Sequence, residues 1–173
     1  MGFSLSWLAV KELSEEAITS ALGLCKTGKT DEVPDWDMSY MKRDGWHFIF
    51  LNHDDIESVR PSWIRTLSNS TEVISVFVEE HVMFSRASCW REGKLVWSVE
   101  HDNERGGLAD IRSVGLVPAS YEGIRGELLQ QLKNDPEPCD YLFDAPTMLA
   151  QEITNFKHDE SSEDTFWELT FRK

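Results

Sequence analysis

Three closely spaced β-forming runs constrain this chain more than any other feature. EVISVFVEE (72–80), HVMFSRASCW (81–90) and KLVWSVEH (94–101) are rich in β-branched and aromatic residues and are divided by short polar breaks. Such a pattern predicts an antiparallel meander. The second break sets the register. Glu92 is a poor residue for positive φ, so a type I turn over Arg91-Glu92 with Gly93 as a left-handed bulge is expected, pairing Trp90 with Lys94. Met83, Ser85, Ala87 and Cys89 then share a face with Leu95, Trp97, Val99 and His101. Phe84, Arg86 and Ser88 oppose Val96, Ser98 and Glu100 on the other face. The first set is the more apolar and is assigned to the core, which turns His101 toward the covered side.

The flanking chain supplies both strands and helices. Residues 3–10 alternate, with Phe3, Leu5, Trp7 and Ala9 on one side and Ser4 and Ser6 on the other, as in a strand. Ser14 is a helix N-cap, Ala17, Ile18, Ala21 and Leu22 follow at helical spacing, and Gly23 stops the helix. Residues 25–45 are polar and broken by Pro and Gly, predicting a long loop that carries Trp36 and Tyr40. A strand over 46–52, a cap at Asp54 or Asp55 and a helix from Pro61 to about Leu67 come next. Beyond the meander, the pattern gives a strand within 108–117, an amphipathic helix from Pro118 or Ser120 to Asn134, and a short strand at 141–143. A helix from Ala145-Pro146, an acidic loop at 158–164 and a closing strand at 165–172 complete it. The expected fold is one α+β domain over 1–173: a mainly antiparallel twisted sheet of about five to seven strands, with helices packed chiefly on one face.

Charge narrows the partners. Asp and Glu number 31 against 17 Lys and Arg, a net charge of −14, which repels phosphate backbones and anionic lipid. No apolar run reaches membrane-spanning length. Nucleic acid and membrane are therefore not expected partners. The N-terminus lacks the basic and apolar regions of a signal peptide, and three cysteines at unrelated spacings fit reduced thiols, so a cytoplasmic location is expected. Met1-Gly2 formally opens a myristoylation pattern, but the aromatic Phe3 and the immediate strand favour plain structure.

His-Asp doublets recur at His53-Asp54, His101-Asp102 and His158-Asp159. Imidazole beside carboxylate suits a divalent metal or a water-activating base. The first two doublets end strands and the third sits in a loop, where an Asp capping the next turn is the plainer role. Glu79-Glu80-His81, between two strands, is the second constellation. Strand ends gather on one sheet edge, so Glu79, His81, His101 and Asp102 form the catalytic set to expect of an enzyme. Phosphate-binding glycine motifs and a Gly-x-Ser-x-Gly elbow are missing, and no metal or other cofactor is expected. Trp7 and Trp97 fit core positions, whereas Trp36 and Trp90 do not. Trp90 lies beside Arg91 and Lys94, suiting a cation–π stack, and a tryptophan in acidic surroundings suits a protein-binding anchor.

The segments Ser4–Val10, Phe77–Val82 and Trp97–Asp102 are similar to a group of small bacterial proteins. The resemblance implies a bacterial cytosolic setting and transfers no catalytic residue. The expected function is that of an acidic binding protein for a basic protein partner, of the immunity or antitoxin kind that inhibits a bacterial toxin. Asp31, Glu32, Asp35, Asp37, Glu79, Glu80 and the carboxylates of 159–164 would steer the encounter, with Trp36 and Trp90 as anchors. The alternative is a small metal-assisted hydrolase at the sheet edge.

Overall fold

The computed structural model describes residues 2–160 and 163–173. Met1 of the lipidation pattern, and Ser161 and Ser162 of the acidic 158–164 segment, lie outside the described residues. The described strands are β1 (Ser4–Lys11), β2 (Leu24–Asp31), β3 (Met38–Arg43), β4 (Trp46–Asn52), β5 (Val73–Glu79), β6 (Phe84–Arg91), β7 (Lys94–Asp102), β8 (Arg112–Gly115) and β9 (Phe166–Phe171). They form a single sheet in the order β2-β9-β3-β4-β1-β5-β6-β7-β8, with every recorded pairing antiparallel. The helices are α1 (Glu15–Leu22), α2 (Ile56–Val59), α3 (Pro61–Ser68), α4 (Asn103–Gly106), α5 (Ser120–Asn134) and α6 (Ala145–Thr154).

Nine strands replace the expected five to seven because the predicted 25–45 loop contains two of them. β3 carries the buried Ser39, Tyr40 and Met41. β2 is an edge strand paired only to β9 among the described residues. Its polar sequence lacks alternation because an edge needs no second buried face. The expected short strand at 141–143 is instead a 3₁₀ turn, Tyr141–Asp144, that runs into α6 and buries Leu142 and Phe143.

Helices cover both faces rather than chiefly one. Leu5, Trp7 and Ala9 of β1 join a core with residues of α5 and α6. Leu8 and Val10 of the same strand join a second core with Ile18 of α1, Ile56 of α2 and Trp63 of α3. A strand apolar on both sides, buried from Leu5 through Val10, requires cover on both sides.

The meander exists, but its turn differs. Glu92 and Gly93 both take positive φ, 53° and 69°, as a two-residue primed turn requires. Arg91 pairs with Lys94 and Trp90 with Leu95. The bulge falls at Val96, so Cys89 meets Trp97 rather than Leu95. Turn and bulge together move the register by two residues, and a two-residue shift preserves faces. Ala87 accordingly lies opposite Val99, and Ser85 opposite a fully buried His101. Glu92 tolerates positive φ because its N–H donates to the Ser68 carbonyl, 2.7 Å away, which docks the turn on the end of α3.

Candidate functional site

Register carries distant segments to one end of the sheet. Asn52 lies opposite Leu5, Ser4 opposite Glu79, Glu79 opposite Phe84, and Phe84 opposite Asp102. The 34–37 segment is drawn to the same end, since the Asn52 side-chain amide donates to the carbonyls of Pro34 and Trp36 at 2.6 and 2.8 Å. His158 joins it by standing edge-on to Phe3, with ring centroids 5.2 Å apart. This end therefore collects Asp35, Asp37, Asp54, Asp55, Glu79, Glu80, Asp102 and Asp159. The cations near it are already engaged: Arg86 by Asp55 and Glu57, Arg105 by Glu100 and Asp110, Lys157 by Asp144 and Asp159. At the opposite end Lys11 lies across from Trp46, Lys42 from His47 and Arg91 from Lys94. That end also carries Glu12, Asp44, Glu72 and Glu92, so it is mixed in sign while the first end is acidic.

A cleft of about 520 Å³ opens at the acidic end. Its floor includes Leu5, Phe50, Phe156 and Phe166, and its rim includes Glu32, Asp35, His53 and Glu160. The floor is rigid because Phe156 packs against Trp7, Phe48 and Phe50 with centroids 5.6, 4.8 and 5.6 Å apart, and Phe166 stands 5.3 Å from Phe50. Two of the three His-Asp doublets thus reach one cleft, through His53 and His158, while His101 lies apart.

The expected catalytic set does not converge. His81 Nδ1 is 2.6 Å from Glu79 Oε1, on an exposed turn. Burial opposes the charge of Glu79, but hydrogen bonds from Ser4 and His81 outweigh it and hold the carboxyl below its ordinary range. His101 faces the other side of the sheet, with Nδ1 2.5 Å from the Asp110 carbonyl and Nε2 3.1 Å from Asp140 Oδ2. Asp102 accepts the Arg105 N–H and caps α4. Neighbours along a strand point to opposite faces, so His101 and Asp102 cannot share a ligand. Among the described residues no group of three or more His, Cys, Asp or Glu side chains is placed to hold a metal ion.

Several expected partner-binding residues are occupied internally. Glu80 accepts the Phe3 N–H at 2.9 Å, and Glu79 accepts from Ser4. Trp90 is no free anchor: its indole N–H donates to Ser75 Oγ at 3.1 Å, its ring packs on the second core, and Arg91 turns to Glu72 instead of stacking on it. By contrast, Asp31, Glu32, Asp35 and Asp37 are exposed, and Trp36 is half-buried against the first core. The carboxylates of Glu32, Asp35 and Asp37 meet no cation among the described residues. Residues that sequence reasoning did not single out for the cleft are Phe50, Asn52, Phe156 and Phe166. The three phenylalanines show only ordinary apolar strand and helix character in the sequence, and Asn52 only the polar end of a strand.

Two histidines make stability depend on pH. Burial pushes the imidazole of His158 below its ordinary value, and burial with nearby Lys42 does the same to His47. The unfolded chain, with histidines near about 6.5, then binds more protons than the native state below that pH. Their contribution is fully present above about pH 7 and is lost as pH falls from about 6.5 through the depressed native values. Urea midpoints should drop between pH 7.5 and 5.5, with a smaller drop in His158→Gln. A midpoint unchanged over that interval contradicts the assignment.

Among the described residues no helix is long and apolar enough to cross a membrane. The three cysteines are free thiols. No protein-family model matches the chain, and neither a curated protein nor a solved structure matches it.

Proposed function

We propose that the chain is a cytoplasmic binding protein for a basic protein partner, of the kind that inhibits a bacterial toxin. The observation carrying this is the set of carboxylates without cation partners among the described residues, Glu32, Asp35 and Asp37, beside the half-buried Trp36 on the acidic end of the sheet. Such an arrangement orients an approaching cation surface and raises its association rate. An aromatic ring set among the charges supplies the desolvated contact that holds the complex. The hydrolase alternative has less support, because His101 and Asp102 lie on opposite faces of the sheet.

Fluorescence anisotropy with a panel of labelled Arg/Lys-rich peptides tests this, at low and at physiological salt. Salt-sensitive binding is expected. The triple variant E32Q/D35N/D37N should weaken it about tenfold, corresponding to about 0.5 kcal/mol per exposed carboxylate. A panel without any binder, or a triple variant that binds as tightly as the parent, overturns the proposal.

A further inference from the structure

The cleft beside the acidic loop has a lining that specifies one side chain. Its volume, about 520 Å³, falls within the roughly 300–1,000 Å³ of ligand sites. Phenyl rings of Phe50, Phe156 and Phe166 give it an apolar interior, and the carboxylates of Glu32, Asp35 and Glu160 stand around it. Of these, Glu160 accepts a hydrogen bond from Gln151 at 2.7 Å, leaving Glu32 and Asp35 open. None of the described residues that line the cleft is Lys or Arg. The wall also contains His158, whose two ring nitrogens are buried without a hydrogen-bond partner. A groove of similar volume at the opposite end offers no such chemistry. It mixes Lys11 and Arg91 with Glu12, Glu72 and Glu92, and the Lys11 ammonium already lies 5.2 Å from the Trp46 ring.

The acidic cleft calls for a group that is cationic, flat and carried on an apolar stem. A guanidinium meets all three conditions. It offers five N–H donors and no acceptor, pairs with carboxylates through two parallel bonds, and stacks on aromatic faces. Its donors also suit the bare nitrogen of a neutral imidazole, the form favoured by the burial of His158. A lysine ammonium, a strongly hydrated point charge, matches the rings less well. Resting on the basic-partner reading above, we propose that this cleft is the anchor pocket for a single arginine side chain of the partner protein, gripped by Glu32 and Asp35 over the phenyl floor. Phe3, 44% exposed and edge-on to His158, lines the same cleft.

The probe is acetyl-Gly-Gly-Arg-Gly-Gly-amide, compared with its lysine and citrulline counterparts by aromatic and imidazole NMR of the intact chain. Citrulline keeps the shape of arginine and removes its charge. Expected are shifts at the rings of Phe50, Phe156, Phe166 and His158, with affinity falling at least about fivefold for lysine and tenfold for citrulline. The surface variant E32Q/D35N should lose the response while leaving the unbound spectrum of the core unchanged. Equal binding of arginine and citrulline overturns the proposal, since the cleft would then be only an apolar slot. No shift at those rings, with the long basic peptides still binding, overturns the pocket and leaves the basic-partner reading standing. Failure of both the short probe and the long basic peptides overturns both.

Discussion

Phe156→Ala should lower the unfolding free energy by about 3–5 kcal/mol, the range for deleting a fully packed aromatic side chain. Phe156 is only 4% exposed and touches three other rings, Trp7, Phe48 and Phe50. It follows Asn155, which ends α6 in the left-handed conformation and so aims the next side chain back into the core. Removing the ring leaves a void whose walls belong to rigid central strands, so little collapse relieves it. Phe156→Leu retains most of the volume and should cost less than about 1.5 kcal/mol. Urea unfolding measures both. A loss below about 1 kcal/mol for the alanine variant would show that the ring cluster is not the packed unit described above.

Asp140→Ala is expected to cost about 3 kcal/mol for a different reason. Its carboxylate, 5% exposed, lies 3.1 Å from His101 Nε2 and accepts the Asn103 side-chain amide at 2.6 Å. The other ring nitrogen of His101 faces a carbonyl, which only accepts, so Nδ1 donates there and Nε2 faces the Asp140 carboxyl. Truncating Asp140 strands an imidazole that is wholly buried and an amide that has lost its acceptor. Each buried polar group left without its partner costs about 1–3 kcal/mol, and here two are left. Asn103→Ala, removing a single contact, should cost about 1 kcal/mol. If Asp140→Ala unfolds at the parent's urea midpoint, the pair does not hold the 135–140 segment to the sheet.

The meander and its division into faces were legible because alternation reports burial directly. The turn between its strands was not, since Glu92 adopts positive φ only with the Ser68 carbonyl in place, a contact 24 positions distant in sequence. β2 escaped notice because an edge strand closed by Lys26, Thr27, Lys29 and Thr30 has no apolar rhythm. The second layer of helices is foreshadowed by Leu8 and Val10, which make the face shared with Ser4 and Ser6 apolar. The acidic stretches could be read from sequence, but their meeting at one end depends on pairings across β4, β1, β5, β6 and β7. For the same reason sequence offered no means of separating Glu79, Glu80 and Trp90, engaged by Ser4, Phe3 and Ser75, from the open carboxylates of the 32–37 loop.

The position of β9 has a consequence for the order of assembly. This strand, made after all the others, lies between β2 and β3 rather than at a margin. A chain growing from its N-terminus can pair β3 through β8 as soon as each is synthesised, yet β2 has nothing to pair with until residues 166–171 arrive. Thr27 waits for Glu168 across 141 positions of sequence. Closing so long a loop is slow, and until it closes the free margin of β3 is open to any extended segment of another chain. The interval before β9 docks is thus when the protein is most exposed to aggregation, and protection in that interval would raise the yield of native molecules without adding to their final stability.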